Sequence, residues 1–516
     1  MAFSFVKNYI KIYSWRTISL ISGFISLLIV VPHLSNNQEV YGIYIFCISF
    51  TLYLSYADIG FLGAGLKYAA EEYAKGNRKK EIEIFGFTAI ILLLMILPFS
   101  LSMIYFSFYP EIIVSNLTLE GQKIAGNIFL IIGVLSPFQI ILQRLTQCIL
   151  IIRIKEFISL RIDVIFNLIK IASVFYFFAD GKYLIIEYFL FINLLTIISG
   201  LVTIVIIRKT ENYDFLALLK AMKFSRKYFQ LTQKLALSSV FLTVGWLIYY
   251  ELDLIFIGRL FGPNEVAIYA IGFTFLNFLR SLWNIVFSPY SQRYNHFVGN
   301  NSEDEMKKMT YNIIDYTLPL CIVTTTILVL STKFIVLFWV GSIYTDSIII
   351  MQILIIGTVF GFVVQPASYY FMAKTKYSFI YATAIILPLF FVIGLIIMVP
   401  VIGIKAFAFS KTIAMIVGFI ISMVGISELI NPVKIIRNWA IPIIVFLILA
   451  IAIQPKLLSI VFPMMTKSTL DLILIITISS FLVIVSLSMI FLSQKRFRLK
   501  LKEIIKNKKK WSEFLN

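Results

Sequence analysis

Charge is scarce in this 516-residue chain. Only 14% of its residues are Asp, Glu, Lys or Arg and 60% are hydrophobic, whereas an ordinary soluble domain carries about 25% charge. The mean hydropathy is +0.93. No water-facing surface can be built from that composition. A cytosolic enzyme, a secreted domain and a disordered protein are all excluded, and most of the chain must be solvated by lipid. Histidine and cysteine are nearly absent. His33 and His296 lie far apart, and Cys47, Cys148 and Cys321 are odd in number and sit in or beside apolar segments. That argues against a disulfide framework and against a zinc site, which needs clustered ligands. No glycine-rich phosphate loop ending in Lys-Ser/Thr occurs, which argues against ATP hydrolysis, and no Ser/His/Asp arrangement is readable.

What is present is a series of apolar stretches of about twenty residues, each long enough to cross a bilayer as a helix. Barrel strands would instead alternate in segments of about ten. The expected fold is therefore all-α, a polytopic membrane protein of about fourteen transmembrane helices. Their limits are near 15–34, 41–62, 84–109, 123–143, 158–178, 184–207, 235–257, 265–288, 311–331, 347–370, 377–399, 404–425, 439–461 and 468–492. The first stretch is too long for a signal peptide and has no small-residue cleavage site. The segment 332–346 reads either as an external loop in the interface or as an extension of its neighbours.

Basic residues orient the helices. With the N-terminus in the cytoplasm, 35 of the 45 Lys and Arg fall on cytoplasmic segments and 7 on the other face; Lys170, Arg280 and Lys411 lie inside spans. Both termini are then cytoplasmic, as an even span number requires. Topology thus explains most of the +19 charge, which is no sign of a nucleic-acid partner. External loops are short, too short for the catalytic loop of a polysaccharide polymerase.

A repeat divides the chain. Glu39-Val40 recurs as Glu265-Val266 and Lys67-Tyr68 as Arg293-Tyr294, both 226 residues on. Six helices separate the copies, so both run the same way through the membrane and the pseudo-axis follows the membrane normal. The expected organisation is an N-terminal lobe over 1–210, a cytoplasmic linker over 211–234, a C-terminal lobe over 235–430, two further helices over 431–492 and a basic tail over 493–516.

Polar groups inside spans are costly in lipid and point to function. Arg280 lies mid-span, and Asn277, Arg280 and Asn284 share one helical face. Arg16, Ser19, Gly23 and Ser26 form such a face on the first helix, and Asp163, Asn167 and Lys170 on the fifth. Lys411 lies within the twelfth. Two lobes with wet faces imply a water-filled cavity, and its cations suit an anionic group such as a diphosphate. The candidate substrate contacts are Arg16, Lys170, Arg280, Asn277, Asn284 and Lys411. The candidate ion-coupling carboxylates are Asp58, Asp163 and Asp253. Plainer roles are open to several. Arg16 can snorkel to headgroups, Asp163 can pair with Lys170, Asp253 can be interfacial, and Asp58 before Gly60 can end a helix.

Three regions of the chain carry a resemblance. Tyr41-Gly42-Ile43-Tyr44, Tyr56-Ala57-Asp58-Ile59-Gly60-Phe61 and Lys67-Tyr68-Ala69-Ala70-Glu71 resemble the second-helix region of Wzx-type polysaccharide flippases of the multidrug/oligosaccharidyl-lipid/polysaccharide (MOP) exporter superfamily. Asp253-Leu254-Ile255-Phe256-Ile257-Gly258 with Val266-Ala267-Ile268-Tyr269 resembles the start of that family's second lobe, and Trp339-Val340-Gly341 with Tyr344 its later external loop. The resemblance implies a flippase, not an enzyme. Such a protein carries undecaprenyl-diphosphate-linked oligosaccharide across the bacterial cytoplasmic membrane for O-antigen or capsule assembly, and its product passes to a polysaccharide polymerase and a chain-length regulator. The resemblance implies no cofactor, only coupling to a proton or sodium gradient. A peptidoglycan-precursor flippase, a multidrug antiporter and, from another class, a polysaccharide polymerase or ligase are the alternatives.

Overall fold

The computed structural model describes residues 2–56, 60–461, 469–495 and 497–499. Asp58 and the basic tail beyond residue 499 lie outside the described residues. Among those described there are seventeen α-helices, two short 3-10 turns and no strand. Eleven of the helices are long and apolar enough to cross a membrane, so the chain is a multi-pass membrane protein. The other three expected spans fall on α2 (Gln38–Tyr56), α6 (Phe157–Phe177) and α9 (Arg226–Tyr250). The first stops at the edge of the described residues. The second carries Arg161, Asp163 and Lys170, and the third Arg226, Lys227 and Lys234.

Several helices outrun the bilayer. α11 (Pro263–Gly299) and α12 (Glu303–Trp339) have 37 residues each, about 55 Å at 1.5 Å per residue, against a hydrocarbon core of roughly 30 Å. The excess of α12 is its charged first turns, Glu303 to Lys308. Residues 332–339 are the end of that same helix, so the ambiguous segment is mostly helical extension. A 3-10 turn at Ser342–Tyr344 with a buried Tyr344 closes it.

The chain forms two compact units, 1–271 and 272–516. In the first, α1 (Ala2–Leu34) packs on α6, and α5 (Leu119–Ile152) packs on α4 (Arg78–Phe108), α2 and α7 (Ile185–Glu211). Asn77 and Thr118 begin α4 and α5 by accepting from the amides of Lys80 and Gly121, the usual role of a polar N-cap. α3 (Phe61–Ala74) packs on α4 and α9, and α8 (Phe215–Ala221) on α4. Phe85, Phe87, Ile149, Leu150, Ile207 and Leu218 form the core there. Beside it Arg153 is buried against Glu81 at 2.7 Å, with its guanidinium between the Tyr73 and Tyr213 rings.

This unit continues past residue 210 through α8 and α9, and then through one corner. α10 (Asp253–Leu260) and the first turns of α11 are bonded to α2 and to the α4–α5 loop. The Ser115 hydroxyl donates to the Arg259 carbonyl at 2.5 Å, and Gln38 Nε2 to the Asn264 carbonyl at 3.2 Å. Gly42 lies so close to Pro263 that a Cβ would stand 1.8 Å from its carbonyl oxygen. Gln38 and Asn264 are 226 residues apart, the offset of the sequence repeat. Equivalent positions of the two copies therefore touch each other.

In the second unit α13 (Ser347–Ala373) and α14 (Tyr377–Ile402) pack on α15 (Lys405–Ile426), and α12 packs on α13. α16 (Pro432–Val461) and α17 (Thr469–Ser493) attach to α12. Polar side chains make that attachment. Gln454 donates to the Ser331 hydroxyl at 2.6 Å and to the Ile327 carbonyl, Ser331 bonds to Ser479, and the Trp439 indole donates to Asp315 at 2.7 Å. In lipid there is no hydrophobic drive between helices, so such bonds and close packing have to hold them. The outward faces remain apolar, with Val401 and Ile441 more than 70% exposed.

Candidate functional site

The polar faces read on the first and fifth spans meet each other. α1 and α6 run parallel, with contacts advancing along both from Arg16–Glu156 through Ser22–Asn167 to His33–Phe175. Between α1, α5, α6 and α7 they leave a cavity of about 310 Å³ lined by Ser19, Ser22, Gln143, Asp163, Asn167 and Lys170 among others. Serine and glycine on α1 leave the space; the longer polar side chains of α6 fill its wall.

Asn167, Lys170 and Asp163 each have a partner in the wall. Asn167 donates to the Ser22 hydroxyl at 2.8 Å, Lys170 Nζ to the Thr196 hydroxyl at 2.7 Å, and the Ser199 hydroxyl to Asp163 at 3.3 Å. Among the described residues no ion pair joins Asp163 to Lys170; each bonds to its own hydroxyl on α7. A carboxylate and an ammonium thus share one small polar chamber at membrane depth, the setting in which intramembrane ionisable groups serve transport. The chamber is at the small end of ligand pockets. It has room for an ion with water, not for an oligosaccharide.

The other sequence candidates stand elsewhere. Arg16 neither snorkels freely nor lines the cavity. It donates to both carboxylate oxygens of the largely buried Glu156, at 2.8 and 3.0 Å. Asp253 begins α10 as a buried group and accepts from the Tyr269 hydroxyl, which places it in the α10–α11 corner. Arg280 donates to Asn277 at 3.0 Å, and Asn284 accepts from Gln365 of α13 at 3.2 Å, so the predicted stripe exists and gains a member. Lys411 is fully buried, with its ammonium 4.7 Å from the Phe273 ring and 5.5 Å from that of Phe391, a cation–π enclosure rather than the wall of an open cavity.

Sequence reasoning missed Ser22, Gln143, Thr196, Ser199, Glu156 and Gln365. Thr196, Ser199 and Thr203 recur at helical spacing on an otherwise apolar span, a polar stripe that was there to be read. Glu156 and Gln365 have no such signal, since only the packing gives them a partner.

No family model matches the chain, and no curated protein matches it in sequence. Solved structures match its fold. A lipid II flippase MurJ in an inward closed conformation superposes with a TM-score of 0.69 at 16% identity, covering 95% of this chain and 99% of that one. An inward-facing multidrug resistance MATE transporter of the MOP superfamily gives 0.59 at 12%, covering 81% and 94%. A eukaryotic MATE transporter gives 0.56 at 15%, covering 84% and 98%. The chain therefore has the fold of MOP-superfamily transporters.

Proposed function

We propose that this protein is a flippase that carries undecaprenyl-diphosphate-linked oligosaccharide across the bacterial cytoplasmic membrane for O-antigen or capsule assembly. One observation carries the flippase reading over the multidrug one. The likeness to the lipid II flippase takes in almost the whole chain, whereas the MATE transporters leave about a sixth of it uncovered. That remainder is about the length of residues 432–516, which include α16 and α17. The choice of oligosaccharide rests on the motifs around Tyr41–Tyr44 and Lys67–Glu71.

The chamber in the first unit suits the coupling ion. Asp163 is its carboxylate. Lys170 already supplies a resident cation, and like charges in a low-dielectric site repel strongly. A proton, which neutralises Asp163 without adding a second cation beside Lys170, fits better than sodium. Substrate contact then falls to Arg280 with Asn277 and Asn284, because a guanidinium can hold two phosphate oxygens at once.

The test is complementation in two hosts. A strain lacking its O-antigen flippase should regain surface polysaccharide, and a strain depleted of its lipid II flippase should not regain growth. The reverse pattern would assign the protein to peptidoglycan precursors, the second reading that the lipid II flippase likeness supports. In proteoliposomes an imposed pH gradient, and not a sodium gradient, should drive flipping.

A further inference from the structure

We propose that the segment 215–227 is a docking surface for anionic phospholipid headgroups on one leaflet of the membrane. α7 ends at Glu211, and Asn212 takes a left-handed conformation with φ 50°, so the chain turns out of the line of the span. Asp214 then caps α8 by accepting from the Ala217 amide at 2.9 Å. One face of this short helix is fastened to α4. Leu218 is buried, and Gly86 lies against Ala221 so closely that a Cβ would stand 2.5 Å from its carbonyl oxygen. Beyond it the Tyr228 hydroxyl donates to Glu83 at 2.6 Å, and Phe224 packs on Phe87. The segment is thereby held level with residues 83–87, the first turns of a membrane span.

The opposite face is open. Leu216, Leu219 and Phe224 are 67%, 63% and 58% exposed. Lys220, Lys223, Arg226 and Lys227 are exposed around them, and no acidic residue occurs from 215 to 230. Lys79 at the start of α4 extends the basic area, while its neighbour Lys80 faces Glu72 at 3.9 Å. Large apolar side chains turned outward at the level of a bilayer surface, ringed by cations of one sign, match an anionic headgroup layer with acyl chains just beneath. The charge commits the surface to anionic lipid. Water would leave the three apolar side chains exposed, and a neutral leaflet would offer Lys220, Lys223 and Arg226 no anion, whereas Lys227 already acts on Glu72 of α3.

The test uses the full chain and needs no transport assay, so it is independent of the flippase reading. An environment-sensitive fluorophore on Leu219→Cys reports the surface, since Cys47, Cys148 and Cys321 are buried. In phosphatidylcholine bilayers containing phosphatidylglycerol the label should shift to the blue and resist an aqueous quencher. In pure phosphatidylcholine it should stay accessible. Replacing Lys220, Lys223, Arg226 and Lys227 by Gln, at unchanged melting temperature, should release it, each charge counting about fivefold in partitioning. Equal quenching in both bilayers would overturn the proposal. Equal protection in both would overturn the anionic assignment, and protection only on adding cytosolic protein would give the face to a protein partner.

Discussion

At the scale of single residues, the chamber and the Arg280 stripe make separable predictions. Asp163→Asn removes the titratable group but keeps a hydrogen-bonding partner for Ser199, which donates to it at 3.3 Å. It should abolish gradient-driven flipping while leaving membrane abundance unchanged; full activity would remove Asp163 from coupling. Arg280→Ala should abolish export, and Arg280→Lys should keep part of it, because the charge survives and the two-oxygen grip does not. The readout is surface polysaccharide per unit of membrane protein. If both variants instead lower abundance, Arg280 is structural. Arg16 behaves differently. Its loss strands Glu156, whose side chain is only 11% exposed, so Arg16→Ala should lower thermal stability before it lowers transport.

At the scale of elements, three contacts between helices can be tested one residue at a time. Arg153 and Glu81 are both almost fully buried, with side chains 1% and 0% exposed. Breaking such a pair from one side costs about 3 kcal/mol, so Arg153→Ala should depress the melting temperature of the purified protein sharply. Gln454→Leu deletes the bond that fastens α16 to Ser331 of α12. An interhelical bond in the membrane is worth about 1 kcal/mol, and the variant should melt slightly earlier. The α10–α11 corner carries the most specific expectation. Gly42→Ala places a methyl group into the Pro263 carbonyl, and relieving that overlap costs about 1–3 kcal/mol. Labelling of Gln38→Cys by an impermeant reagent should rise in the Gly42→Ala background as the corner opens. Unchanged labelling would show that α10 and α2 tolerate the methyl without parting.

At the scale of the whole molecule, topology is the expectation to check. Reporter fusions at Lys79, Lys223 and Lys508 should report the cytoplasm, and fusions at Glu120 and Tyr344 the outside. A cytoplasmic signal at Glu120 would overturn the span order. The parallel run of α1 and α6 agrees with that order, in which the first and fifth spans cross in the same direction. The compact unit 1–271 takes in α10 and the first turns of α11 through bonds such as Ser115 to Arg259 and Gln38 to Asn264.

The amino-acid sequence by itself determined the all-α membrane architecture, because lipid admits few solutions and apolar stretches of helical length announce them. It also exposed the repeat and the polar faces of α1, α6 and α11, since a polar residue in a span is costly wherever it points. Which faces meet was a matter of tertiary structure alone. Periodicity places Asp163 and Lys170 on one side of α6, but only packing against α7 gives them Ser199 and Thr196 as partners. It likewise turned Arg16 toward Glu156 and closed Lys411 between two phenylalanine rings. A charge's cost in lipid is read from its own position along the chain. For Arg16, Asp163, Lys170 and Lys411, whether the charge is met by an ion, a hydroxyl or a ring depends on residues 20 to 140 positions away, and no local pattern encodes them.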